Sequence, residues 1–308
     1  MPTKANAVSS PDTLISNPSP GWNYEEAFCR NLGLVTAEEQ QKLRHTRVAV
    51  AGLGGVGGID LVTLARIGIG RFTIADPDVF ELANTNRQYG ANQATLGRSK
   101  AEVMAEMVRA INPEAEVRLL KSAIDPQNVG QFLDGADILV DGIEAFEIDV
   151  RRFLFRRAAE QGIYALGAGP VGFSTVWVIF DPQGMSFDHY FDLSDAQDPL
   201  EKFVAYIVGM APRATQRAYM DLSHVNVQLR TGPSLSLACQ LAGGVVGAEV
   251  VKILLGRGRV RAAPHYYQFD VYLGRLVHGR LWGGNRHPLQ RFKRWWLNRR
   301  LRQLAPEG

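Results

Sequence analysis

The segment Val48 to Gly58, reading Val-Ala-Val-Ala-Gly-Leu-Gly-Gly-Val-Gly-Gly, constrains this chain more than any other. A short apolar run meets a glycine-rich turn, and Ile59 to Ile67 then shows helical periodicity. The pattern is strand, turn, helix. Glycines let a backbone approach a phosphate without a Cβ in the way. A helix N-terminus behind them offers free N–H groups and positive potential. Gly52, Gly54, Gly55, Val56 and Gly57 are therefore candidate phosphate contacts. A tight βα turn holding no ligand would carry the same signature, and the glycine pattern alone fits NAD, FAD or ATP.

The rest of the chain supplies context for that turn. Phe72 to Ala75 is a second apolar run. It ends at Asp76, about where a dinucleotide fingerprint places its ribose-binding acid. Lys100 to Ile111 reads as an amphipathic helix stopped by Asn112-Pro113. Strands occupy Glu116 to Leu120, Ile138 to Val140 and Tyr164 to Leu166, with a helix over Val150 to Gln161. This alternation predicts an α/β fold: a doubly wound, Rossmann-like, mostly parallel sheet with helices on both faces. From Pro170 the rhythm changes. Ser174 to Phe180 reads as a strand, residues 181–232 as polar and irregular, and Pro233 to Leu255 as a helix. Tyr266 to Leu281 reads as a hairpin around Gly274, and Gln290 to Leu304 as a basic helix. Near the start, residues 23–45 look helical, with Thr36 and Glu39 spaced as a capping box. The expected organisation is a disordered tail over 1–20, a nucleotide-binding domain over 21–258, a strand hairpin over 259–285 and a basic amphipathic tail over 286–308.

Composition excludes several classes. Hydrophobic residues at 46% and charged residues at 21% are ordinary globular values, unlike a coiled coil or a disordered chain. The two cysteines, Cys29 and Cys239, have no CxxC spacing. Neither a four-thiolate zinc site nor a disulfide framework is expected, which favours a reducing, cytoplasmic setting. The apolar stretch Leu235 to Leu255 is broken by Gln240, Glu249 and Lys252, so no membrane span is expected, and the first twenty residues lack a signal-peptide core. No two of the six histidines lie at i, i+3 or i, i+4.

The residues after Asp76 separate ATP from NAD. Asp78 leads to Asn84-Thr85-Asn86-Arg87-Gln88, and Lys100 comes next on a helix. Cations and amides beyond a ribose acid suit a triphosphate, whose oxygens they can bind and whose developing charge they can offset. A nicotinamide enzyme has no need of them there.

With these motifs assembled, residues 22–280 resemble the ThiF/MoeB/HesA family, bacterial relatives of the ubiquitin-activating enzymes. The matching positions are Arg30, Gly52 to Gly57, Asp76, the Asn84 to Gln88 run, Lys100, Asn112-Pro113 and the Gly-rich helix Ala242 to Lys252. Leu64 to Pro113 looks most like the branch that dehydrates threonylcarbamoyl-adenosine in tRNA. The resemblance implies adenylation: a carboxylate attacks the α-phosphate of ATP with Mg²⁺, giving an acyl adenylate and pyrophosphate. It implies that Asp76 holds the ribose, that Lys100 and Arg87 hold the phosphates, and that Asn84 orients the α-phosphate. Asp78, Asn86 and Gln88 would complete the nucleotide site. Arg30 would reach across a homodimer interface to the partner's nucleotide. The acceptor would be a small carrier protein, a peptide, a small carboxylate or a tRNA-linked carboxylate.

The sequence departs from the family pattern after the fourth strand. Glu144 stands where the resemblance expects a magnesium-linked Asp, Ala145 replaces an amide and Asp149 replaces a basic residue. Mg²⁺ demands tight octahedral geometry, so the longer side chain bears on metal binding. The zinc-binding CxxC pairs of many members are missing, as is any Cys between Asp181 and Gly232. The acidic stretch Asp188 to Glu201 is expected to be a mobile loop over the site. Two readings stand: an ATP-dependent adenylating enzyme, or a catalytically degenerate nucleotide-binding dimeric scaffold. A nicotinamide oxidoreductase is a weaker third. The basic tail carries Arg291, Lys293, Arg294, Arg299, Arg300 and Arg302 beside Phe292, Trp295 and Trp296. It suits packing on its own domain, an anionic membrane surface, or a polyanion such as tRNA.

Overall fold

The computed structural model of the protein describes residues 12–14, 21–226 and 228–304. The first half alternates strands and helices, with β1 and α5 beyond those that the sequence predicts: β1 (Asp12–Leu14), α1 (Tyr24–Ala27), α2 (Ala37–His45), β2 (Arg47–Ala51), α3 (Gly55–Ile67), β3 (Arg71–Ala75), α4 (Lys100–Ile111), β4 (Glu116–Leu120), α5 (Val129–Leu133), β5 (Ile138–Asp141), α6 (Ile148–Glu160) and β6 (Tyr164–Val171). The second half continues with β7 (Ser174–Phe180), α7 (Phe187–Phe191), α8 (Pro199–Met210), α9 (Ser236–Leu255), β8 (His265–Asp270), β9 (Arg275–Arg280) and α10 (Pro288–Leu304).

Local chemistry sets the element ends. Thr36 and Glu39 form the expected capping box on α2. The 23–45 stretch is not one helix, because a 3₁₀ turn at Cys29–Asn31 separates α1 from α2. Ser99 caps α4, which stops before Asn112-Pro113. The chain leaves α3 through Gly68, whose φ of 98° lies in the left-handed region.

The strands form one nine-stranded sheet in the order β1-β4-β3-β2-β5-β6-β7-β8-β9. Strands β4, β3, β2, β5 and β6 run parallel. Strand β1 pairs antiparallel with β4, and β7, β8 and β9 continue antiparallel beyond β6. The chain moves from β2 to one side through β3 and β4, then returns to the other side at β5. The carboxyl ends of β2, β3 and β5 therefore surround a topological switch point, where open α/β sheets place their ligands. Every residue of β2 and β5 is buried, as parallel strands covered on both faces require.

Two cores cover the sheet. One joins α3, α4 and α9 around Leu61, Leu64, Met104 and Val246. The other joins α5 through α8 around Phe132, Phe155, Tyr190 and Tyr206. By length and hydropathy α9 could cross a membrane. In this fold it packs along α3, and Gly243 and Gly247 leave space for Ile59, Thr63 and Ile67.

Two expectations need correction. Within the stretch expected as a disordered tail, Asp12–Leu14 is an edge strand, and the other residues up to 20 lie outside the described residues. Residues 181–232 are not irregular throughout. They hold α7 and α8, which bury Phe187, Tyr190, Phe191 and Tyr206 in an aromatic cluster against Phe155 and Phe180. The hairpin expected over 259–285 forms, and it extends the main sheet through β7.

Candidate nucleotide site

The glycine turn is built by close backbone contact. Gly52 has a φ of 81°, and a Cβ there would lie 2.5 Å from the Gly142 carbonyl oxygen. A Cβ on Gly57 would lie 1.9 Å from the Gly52 oxygen. No side chain fits at either position, so the end of β2, the start of α3 and the end of β5 meet backbone to backbone. Gly54 is the N-cap of α3 and supplies no capping side chain. The free N–H groups of the first turn of α3 therefore face the switch point, and this is what phosphate binding requires.

Asp76 is 5% exposed. Its carboxylate accepts from the Leu53 N–H at 2.7 Å and the Asp78 N–H at 2.9 Å. It thereby ties the glycine turn to the end of β3. Burial raises its pKa, while the Lys100 charge and the two N–H groups pull it down. Lys100 opens α4 and is buried. Its N–H donates to the Asp78 carbonyl at 2.9 Å, and Nζ sits 3.0 Å from Asp78 Oδ2.

The Asn84 to Gln88 run lines the same side. Asn84 is buried in a 3₁₀ turn, where Oδ1 accepts from the Glu81 N–H at 3.0 Å. Arg87 donates to the Ala83 carbonyl at 2.8 Å and to Asn86 Oδ1 at 3.0 Å. Asn86 Nδ2 donates to the Ser234 carbonyl at 2.9 Å. Gln88 is buried facing Gly54, and its Oε1 has no hydrogen-bond partner. A cavity of about 210 Å³ opens here between Arg87, Gln88, Ser236 and Cys239. Burial raises the Cys239 thiol to about 11, so it is a filler beside Gly55 and no nucleophile.

The opposite wall is the β5–α6 corner. Asp141 is buried and paired with Arg151 at 2.7 Å. Arg151 also donates to the carbonyls of Glu144, at 2.6 Å, and Ile143, and its guanidinium lies 4.7 Å from the centre of the Tyr206 ring. This arginine, which no sequence motif singles out, braces the loop that carries Glu144. The Glu144 side chain reaches solvent, yet partial burial raises its pKa. Arg230 and Lys100 oppose the shift, and Glu147 and Asp78 add to it. Glu144 has no ion pair among the described residues. Among the described residues no cluster of three acids, histidines or cysteines could hold a metal, so Glu144 would be a lone protein ligand for one. Asp149 does not face the site. It pairs with Lys202 at 2.7 Å and Arg152 at 3.3 Å.

Two expectations about the site are altered. The acidic stretch Asp188 to Glu201 is held in place: Asp188 and Asp195 both pair with Arg152, and Asp198 caps α8. The segment that crosses the mouth lies later. It pairs Asn226 with Thr231, sends Arg230 to Glu147 and presents the Ser234 carbonyl to Asn86. Arg30 is exposed and stands apart from the other site residues. Its neighbour Asn31 bonds to the Ile67 carbonyl at the far end of α3, about 18 Å of helix from Gly55.

Fold and site together define a doubly wound α/β chain with a glycine turn, a buried strand-end acid and converging cations at its switch point. The ThiF family model matches residues 28–288, and the chain belongs to this family. It is 40% identical over 123 residues to the tRNA threonylcarbamoyladenosine dehydratase of Haemophilus influenzae, covering 40% of this chain and 47% of that protein. The match thus spans about half the length of that curated relative. A probable adenylyltransferase/sulfurtransferase MoeZ of Mycobacterium tuberculosis is 29% identical over 281 residues, covering 90% of this chain and 61% of its own. Among solved structures, the E. coli tRNA N6-threonylcarbamoyladenosine dehydratase in complex with AMP superposes with a TM-score of 0.55 at 25% identity. It covers 77% of this chain and 97% of that one.

Proposed function

We propose that this protein activates a carboxylate with ATP, forming an acyl adenylate and pyrophosphate. The observation that carries this reading is the convergence of the uncapped N-terminus of α3, buried Asp76, Lys100 and Arg87 on one switch point. The similar structure that holds AMP supports it.

In this mechanism the α3 amides and Gly54 receive phosphate oxygens. Lys100 and Arg87 exchange their present partners, Asp78 and the Ala83 carbonyl, for the triphosphate. Asp76 keeps its backbone bonds and offers its remaining lone pairs to the ribose. Gln88 Oε1, buried without a partner, gains a donor. Glu144 would hold Mg²⁺, which offsets phosphate charge when bound. The acyl carboxylate enters beneath residues 228–235 and attacks phosphorus in line, so that the α–β bridging oxygen leaves with pyrophosphate. The thiol that lines the cavity, Cys239, is held protonated by burial, so the adenylate passes directly to its acceptor. Arg30 serves the nucleotide of a second copy in a homodimer, because within its own chain it lies at the wrong end of α3.

The β5–α6 corner favours a second reading. Ala145 and Asp149 supply neither the amide nor the cation that the resemblance expects, which suits a scaffold that binds ATP without turnover. ATP–pyrophosphate exchange with candidate peptides and small carboxylates separates the two. Exchange supports the enzyme. Tight ATP binding without exchange supports the scaffold, and binding of NAD in place of ATP refutes both. For the dimer, mixing Arg30→Ala with Lys100→Ala chains should restore part of the exchange that each lacks. A monomer in the ultracentrifuge would refute the role in trans.

A further inference from the structure

The outer face of α10 is the largest feature that the proposed reaction leaves without a task. Twelve of the chain's 34 Lys and Arg lie after Leu255, but only two of its 31 Asp and Glu. The end of the chain is thus strongly positive, while the remainder is net negative.

The inner face of α10 is fixed to the domain. Gln290 donates to the Val208 carbonyl at 3.1 Å, Lys293 to the Pro212 carbonyl at 2.6 Å, and Arg294 pairs with Asp192 at 2.7 Å. The helix is therefore no detachable arm. Its outer face leaves Leu289 55%, Phe292 58% and Trp295 56% exposed, although such side chains are costly to leave in water. The Phe292 and Trp295 rings lie 5.9 Å apart. Arg291, Arg299 and Arg300 have no carboxylate partner among the described residues. Arg299 lies 5.8 Å from the Trp295 ring centre and Arg300 lies 5.3 Å from that of Trp296. Both termini of the patch are thus cationic around an aromatic centre.

We propose that this face seats the protein on an anionic lipid surface. Aromatic rings at headgroup depth and arginines against anionic headgroups are what such an interface accepts together. The patch is the outer face of one helix, and the depression of about 380 Å³ between Pro288, Arg291, Phe292 and Trp295 lies open to solvent, lined by aromatic and cationic side chains together. Leu289 is aliphatic and offers nothing to a stacked base, which favours lipid over nucleic acid. The bound protein would lie flat, with Leu289, Phe292 and Trp295 entering the acyl boundary.

The test is co-sedimentation of the full chain with phosphatidylcholine vesicles, with and without phosphatidylglycerol. Binding should require phosphatidylglycerol and weaken with salt. The Phe292→Ala/Trp295→Ala variant and the Arg291→Glu/Arg299→Glu variant should each lose binding by on the order of tenfold or more. Both should melt close to the parent, because the altered side chains face solvent. If the aromatic variant melts early, the charge variant decides alone. The proposal is overturned by equal binding to neutral vesicles or by variants that bind like the parent. It is equally overturned if vesicles are ignored while the variants abolish retention of an RNA oligomer, or abolish self-association in the ultracentrifuge.

Discussion

The two walls of the switch point are built in opposite ways. On the glycine-turn side, positions are fixed by the absence of side chains and by backbone bonds: Gly52 and Gly57 admit no Cβ, and Asp76 spends its carboxylate on two N–H groups. On the β5–α6 side, positions are fixed by charge: Asp141 and Arg151 form a buried pair, and Arg152 gathers Asp149, Asp188 and Asp195. A backbone-built wall holds its cations by contacts a ligand can replace: Lys100 by Asp78 alone, and Arg87 by one carbonyl and one amide oxygen. A charge-built wall uses its arginines up as structure, and Glu144 is left without an ion pair among the described residues.

Breaking the charged wall should have the largest effect. Arg151→Ala leaves Asp141 buried without its partner and two loop contacts unmade. Stability should fall by about 3–5 kcal/mol, read as an early urea midpoint. An unchanged midpoint would mean that the pair is ornamental and the contrast between the walls false. Next comes the glycine-turn side, where Lys100→Ala should weaken ATP binding by about 1.5–3 kcal/mol, roughly 10- to 100-fold in calorimetry. ATP affinity equal to the parent's would remove Lys100 from the site.

Asp60 sharpens the comparison, because this acid lies on α3 where no charge is compensated. It is fully buried, and neither carboxylate oxygen has a partner. Burial raises its pKa well above the ordinary value, and nearby Asp141 adds to the shift. Its pKa in the folded state thus lies above that of the unfolded chain, which releases the proton near pH 4. Stability is therefore lost as pH rises above about 4, until the folded-state pKa is reached. Asp60→Asn should stabilise by about 1–3 kcal/mol at pH 7 and by much less at pH 4, measured by urea unfolding at both. An equal gain at both pH values would show that Asp60 is ionised or paired. The smallest effect belongs to Asp149→Asn. Its pairs with Lys202 and Arg152 are half open to solvent, so less than about 1 kcal/mol should be lost.

The same contrast explains what the sequence made legible. The glycine turn, Asp76, Lys100 and the parallel strands have short-range signatures in period, turn chemistry and capping, and they stand where expected. The charged wall has none. Arg151 lies two residues beyond the position where a basic residue is expected, and only the packing of α6 against Tyr206 shows that it is buried. The bracing of Asp188 depends on Arg152, a residue on another helix, so local polarity mimicked a loop. Helix α8 was readable in principle, since Asp198-Pro199 and Glu201 spell a capping box before Phe203 to Met210. The acids ahead of it masked that signal. Arg30 was visible as a motif, but its distance from the turn was not.

The contact between Gly57 and Gly142 also bears on how the molecule folds. These two residues are adjacent in space but belong to strand–helix units separated by the whole β3–α4–β4 excursion. Closing so long a loop costs chain entropy that local interactions in the turn cannot offset. The phosphate cradle is therefore a non-local structure despite its contiguous motif: it attains its shape only after β5 has docked beside β2. A nascent chain that ends before β5 carries the complete glycine signature and still lacks the cradle.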